Sequence, residues 1–356
     1  MRAASDVDRL TVVCEGTANT LLPITTQLGD FYHLVSATDV SSASAFQQHS
    51  PALAATEAIE WKMGFDGCGV TNGISGTIWA FGLGSQCGEV EERVRALLKR
   101  GARPVHVTVV GLSRGGIFAL LLAKRLGDLI GRMAASASRP ELRLALCLYD
   151  PVPGNLIGTV KYIDPIFGRL TTAASVLDVS RAPIHRVLAL YPYEPLPDLA
   201  FHAPLLPSYP EGCEVDEDAT LGCHQGALYP PRLVPRSMRD ACLLSQERIL
   251  SFLRECGVPL ARHPSALAGG LPQACVDICE AQLRRQERSH RAAHVARGTA
   301  DIVRHTTGVF LNEHHRRLLA ALYPDDPRLG APSAQGEQAL YATVPRFMLE
   351  VVRGRA

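Results

Sequence analysis

Aromatic residues make up only 6% of this chain, and Trp61 and Trp79 are its only tryptophans. A tryptophan-rich belt at a membrane interface is therefore excluded. A surplus of one charge is missing too: 36 Lys and Arg stand against 35 Asp and Glu, a formal net charge of +1. That removes the global basic field of a nucleic-acid binder. Long apolar runs are lacking, since no stretch reaches the roughly eighteen uncharged residues that a membrane helix needs. The opening MRAASDVDRLTVVCEG has no continuous apolar core of a secretory leader. The expectation is a chain made and folded in the cytoplasm, with export by a route that uses no cleaved leader left open. The ten cysteines form no CxxC pair. Cys275 and Cys279 are one helical turn apart, and Cys213 and Cys223 flank what reads as an acidic loop. Reduced, buried thiols are expected rather than a disulfide or zinc framework, and neither a metal nor a cofactor is called for.

What the sequence does hold is apolar material in short runs. Apolar residues are 47% of 356, enough for a large core. Leu10 to Cys14, Val105 to Val110, Leu144 to Tyr149 and Val187 to Tyr191 read as buried strands. Helices are expected over Glu89 to Lys99, where Val90, Val94, Leu97 and Leu98 share one face, over Ile117 to Leu126, and over Ala241 to Arg254. Short apolar strands separated by helices predict an α/β fold, a mostly parallel sheet with helices on both faces. Residues 133–140 read as a small-residue connection, Pro192 to Glu217 as a Pro-rich loop, and Pro230 to Pro235 as a boundary. From about His263 the composition turns to Ala, Arg and His with helical spacing. The division expected is a catalytic domain over 1–262, with 155–183 as a lid or insertion, and a mainly helical subdomain over 263–356.

One stretch carries chemistry. Val109 to Phe118, VVGLSRGGIF, sets Gly-x-Ser-x-Gly between a strand and an apolar helix. A nucleophile elbow needs that order: strand, sharp turn, helix. The serine sits in a strained backbone, so small neighbours are required, and Gly111 and Gly115 supply them. The helix start offers free N–H groups where an oxyanion develops, with that of Arg114 the natural first donor. Gly16 and Thr17, in the loop after the first strand, could give the second, or simply form a tight turn fixed by Asn19. A serine needs a base, and the base an orienting carboxylate. Asp150 follows a strand directly, at the same sheet edge as Ser113. His224 lies on a loop near glycines, downstream of the acid. Glu194 and Asp216 compete for the role of acid, and His106 is set aside because it lies within a strand.

Several short motifs occur in order along roughly residues 10 to 228: Glu15-Gly16-Thr17-Ala18-Asn19, Phe65-Asp66-Gly67-Cys68-Gly69, Gly82-Leu83-Gly84, Gly111-Leu112-Ser113-Arg114-Gly115, then Asp150, then Gly222-Cys223-His224. Together they resemble the α/β-hydrolase family, long catalogued as a domain of unknown function, that contains the bacterial type VI secretion phospholipase effectors. The resemblance implies an α/β-hydrolase fold, a triad of Ser113, Asp150 and His224, and phospholipid substrates. It also implies a secretion-system component or an immunity protein as partner. Two departures stand out: Glu15 replaces the family's Asp, and Gln225-Gly226-Ala227 replaces a longer Ser-Asp-Val-Gly-Gly run.

The remaining readings are split. Asp66 is read as a loop-fixing residue rather than a metal ligand. The apolar segment 155–175, with Ile163, Ile166 and Phe167, either covers an acyl chain or packs in the core. The stretch Gln282 to Arg297 carries Arg284, Arg285, Arg288, Arg291 and Arg297, a solvated face or a contact for anionic headgroups. The reading of the whole is a serine hydrolase of carboxylic esters, acting on a lipid. The alternatives are a soluble esterase or thioesterase, and a degenerate hydrolase fold used as a binding module.

Overall fold

The computed structural model describes residues 6–49, 57–68, 70, 82–101, 103–133, 141–152, 176, 178–192, 207–220, 228–234 and 236–261. The 155–175 segment, the C-terminal stretch from 263 with Cys275 and Cys279, and the arginines of 284–297 lie outside the described residues.

The strands are β1 (Asp8–Cys14), β2 (Thr38–Asp39), β3 (Glu60–Phe65), β4 (Val105–Leu112), β5 (Leu142–Tyr149), β6 (Ile184–Pro192) and β7 (Glu214–Thr220). They form one sheet in the order β2-β3-β1-β4-β5-β6-β7, and every pairing is parallel. The helices are α1 (Gln27–Leu34), α2 (Ala43–His49), α3 (Leu83–Arg100), α4 (Arg114–Met133) and α5 (Arg236–Glu255), with a 3-10 turn at Pro231–Leu233.

Two cores lie on the two faces of the sheet. On one, Leu10, Val12, Val107, Val109 and Leu146 pack with Val90, Val94 and Leu97 of α3 and Ile117, Phe118 and Leu122 of α4. On the other, Val13, Val110, Leu112 and Cys147 pack with Leu28 and Phe31 of α1 and Ile249, Phe252 and Leu253 of α5. Strands covered on both faces must be apolar nearly throughout, as β4 and β5 are. The α/β expectation holds: a three-layer arrangement of helices around a parallel sheet.

Three strands escaped the sequence reading: the two-residue β2, β3 and β7. EWKMGF of β3 alternates, with Trp61, Met63 and Phe65 in the core and Glu60, Lys62 and Gly64 half-buried. A correction is needed at β7, where the supposed acidic loop EVDEDAT is a strand. It lies at the sheet edge, where charges reach solvent or ion pairs. Asp216 pairs with Arg248 of α5, and Glu214 stands 3.7 Å from Arg186.

The order also fixes where a site belongs. From β1 the chain runs outward to β2 and β3, then crosses back to β4 on the other side. Loops leaving β1 and β4 therefore diverge, opening the crevice where parallel sheets bind their ligands.

Candidate active site

Ser113 is the residue past β4, in that crevice, and its φ is +55. A side chain in the left-handed region is strained by about 1–3 kcal/mol, so the surroundings must impose it. They do so through close packing. A Cβ on Gly111 would lie 2.2 Å from the Gly115 carbonyl oxygen, and one on Gly115 would lie 2.2 Å from that of Cys14. The turn is thus too tight for any other residue at either glycine, and α4 is pressed against the end of β1. The Ser113 N–H donates to the Tyr149 carbonyl (2.9 Å), while its own carbonyl accepts from Gly116 (3.0 Å) and opens α4. Ser113 is 6% exposed.

Asp150 occupies the matching place on the next strand. Leu112 pairs with Tyr149 in register, so the two following residues stand side by side. Asp150 is fully buried, has φ +45, and its N–H donates to the Leu190 carbonyl (2.7 Å). A Cβ on Gly116 would lie 2.8 Å from that of Pro151, so α4 also lies hard against this second strand end.

The β1 loop closes the other side. Ala18 holds φ +60, and the Asn19 N–H donates back to Gly16 (3.0 Å). Gly67 fits beneath with no room for a side chain, since its Cβ would lie 1.7 Å from the Gly16 oxygen. Asp66 accepts the Leu21 N–H (2.8 Å), which is the loop-fixing role expected of it. The Gly16 N–H donates to Glu15 (3.3 Å). Among the described residues none accepts from the Thr17 N–H.

Two residues named from sequence use their side chains here as well. Arg114, expected for its N–H alone, buries its guanidinium and donates from Nη1 to the Thr17 hydroxyl (2.5 Å), with the Cys68 thiol 4.0 Å away. It ties the elbow to the β1 loop. Glu15, read only as a departure from a family motif, is 1% exposed and accepts from the Thr26 hydroxyl (2.8 Å) as well as from Gly16. Burial pushes its carboxyl up to about 7, against those two hydrogen bonds. A buried acid next to Gly-Thr was the available signal.

Of the other named residues, His224 and Glu194 lie outside the described residues. Asp216 sits within β7 and is paired to Arg248. His106 is the second residue of β4, at the edge of the sheet opposite Ser113, where burial lowers it to about 4. A cavity of about 610 Å³ lined by Lys124, Asp128, Arg132, Asp178 and Arg181 also belongs to that far edge, beside the C-terminal half of α4. The described cysteines are all free, most of them buried. Among the described residues no helix is long and apolar enough to cross a membrane.

No family model matches the sequence, and no curated protein does either. Among solved structures, the chain is similar to an uncharacterized protein from Pseudomonas aeruginosa at 12% identity and a TM-score of 0.47. The match takes in 98% of this chain and 59% of that one, so the chain spans well under two thirds of that protein's length. A putative cell surface hydrolase from Lactobacillus plantarum matches at 11% identity and a TM-score of 0.37, over 73% of this chain and 95% of that one. A thermophilic esterase from Thermogutta terrifontis matches at 12% and 0.34, over 74% and 88%. The fold assignment stands on the chain's own strand order.

Proposed function

We propose that this chain is a serine hydrolase of carboxylic esters, with Ser113 as nucleophile, Asp150 as the acid of the triad and His224 as the base. The observation that carries the reading is the backbone of Ser113, held at φ +55 between a buried parallel strand and a helix start. Strain of this kind persists only where the fold imposes it, and it concentrates at reacting groups.

His224 takes the proton from Ser113 as the hydroxyl attacks the ester carbonyl, and Asp150 holds the imidazole in the productive tautomer. Negative charge on the carbonyl oxygen is met by the Arg114 N–H at the start of α4 and by the Thr17 N–H across the crevice. The imidazolium protonates the departing alcohol. Water, deprotonated by the same imidazole, then releases the acid from Ser113.

The substrate in this reading is a lipid, and the motif resemblance directs it to phospholipids, to delivery by a secretion apparatus, and to an immunity protein as partner. Fatty-acid release from phospholipid vesicles by the wild type and by Ser113→Ala tests it. Release by the wild type alone is expected. Activity confined to acetyl esters would leave a soluble esterase, and no hydrolysis of either would leave a binding module.

A further inference from the structure

Glu15 follows β1 directly, and each of its carboxylate oxygens accepts a hydrogen bond. Oε1 accepts from the Thr26 hydroxyl at 2.8 Å, and Oε2 accepts from the Gly16 N–H at 3.3 Å. The Thr26 oxygen is itself engaged, accepting from the Leu28 N–H (3.1 Å) as the N-cap of α1. Its hydroxyl proton is therefore committed to Glu15. Two donors converge on one carboxyl, and both hydrogen bonds favour its ionised form. A neutral acid would bring a third proton into that space.

Among the described residues no cation pairs with Glu15. Asp66, past β3, faces it with like charge. Cys14 precedes it, α1 presents the neutral Thr26, and α4 presents Gly115 against the Glu15 carbonyl. Arg114 donates to the Thr17 hydroxyl. Burial opposes the charge that these hydrogen bonds favour, so ionising this carboxyl in place is costly, which points to a role besides stabilising the fold.

We infer that Glu15 is a positioning residue: its ionised carboxylate fixes the peptide between Glu15 and Gly16 and thereby aims the Thr17 N–H at the oxyanion formed on Ser113. This rests on the reading of Ser113 as the nucleophile of an ester hydrolase. Gly16 sits in a tight place: a Cβ on it would lie 2.9 Å from the Leu112 side chain, and one on Gly67 would lie 1.7 Å from the Gly16 oxygen.

The test is the hydrolysis of p-nitrophenyl butyrate by the full chain between pH 5 and 9. Two groups, His224 and Glu15, must both be deprotonated, so the wild-type log kcat/KM should fall toward acid with a slope approaching two. In Glu15→Gln the slope should become one. At pH 8 its kcat should be about 10- to 100-fold lower, with KM within about twofold. Glu15→Asp keeps the charge on a shorter arm and should retain the steep slope with part of the activity. Thermal unfolding of each variant reports folding. A wild-type slope of one, or a folded Glu15→Gln with wild-type kcat and slope, overturns the inference and leaves the hydrolase reading standing. If folded wild type turns over no ester and takes up no fluorophosphonate, the hydrolase reading itself falls, and this inference with it.

Discussion

Ser113 and Asp150 stand next to each other past the ends of two paired strands, and both are held in left-handed backbone, at φ +55 and +45. The Ser113 N–H reaches the carbonyl of Tyr149, the residue just before Asp150, at 2.9 Å. Each side chain is therefore aimed by its own strand rather than by a long loop. A rigid scaffold of this kind suits groups that must hold a reacting geometry.

Asp150→Asn should keep the fold, because Asn tolerates the left-handed region nearly as well as Asp. It removes the charge that would stabilise an imidazolium and favours the wrong tautomer. The expected loss in kcat on a soluble ester is about 10⁴-fold, with a melting temperature close to wild type. Steady-state kinetics beside a thermal melt decide it. Wild-type turnover would move the acid's role elsewhere, with Glu194 the next candidate.

Glu15 makes a separate prediction for stability. Its carboxyl is raised from an ordinary 4.5 to about 7 in the folded protein. Between those values the folded chain holds a proton that the unfolded chain has released, so stability falls as pH rises through this window. The contribution is fully present below about pH 4.5 and is lost above 7, a change of about 3 kcal/mol. Glu15→Gln should lack this component in chemical unfolding measured from pH 4.5 to 8. The ionised form that the proposed site needs is thus the less stable one, a trade common at active sites.

Two glycines should answer oppositely to alanine. Gly131 lies in α4 with nothing within 4 Å of a new Cβ, so Gly131→Ala should stabilise by about 0.5–1 kcal/mol through lost freedom in the unfolded chain. Gly67→Ala would drive a methyl to 1.7 Å from the Gly16 oxygen. The β1 loop must shift, at about 1–3 kcal/mol, and kcat should fall with it. Unfolding midpoints and ester kinetics on both variants check this.

The central strands were legible because burial on both faces makes them continuously apolar. LTVVC, VHVTVV, LALCLY and VLALY all lie within observed strands, and the helices read at 89–99, 117–126 and 241–254 lie within longer ones. The edge strand β7 was hidden, since EVDEDAT earns its place by backbone pairing and by the Asp216–Arg248 contact rather than by apolar burial. The tight turn between β4 and α4 was legible from Gly111 and Gly115, because the steric demand is local. What Arg114 and Glu15 do with their side chains was not, because their partners Thr17 and Thr26 are brought to them only by the crevice between β1 and β4 and by the start of α1.

The central claim is that Ser113 is an activated nucleophile, and intact-mass spectrometry after treatment with a fluorophosphonate tests it most directly. The account predicts one adduct per wild-type chain, mapped to Ser113, absent from Ser113→Ala and strongly slowed in His224→Ala. A folded wild type that takes up no label, or one labelled at a serine other than Ser113, would contradict it.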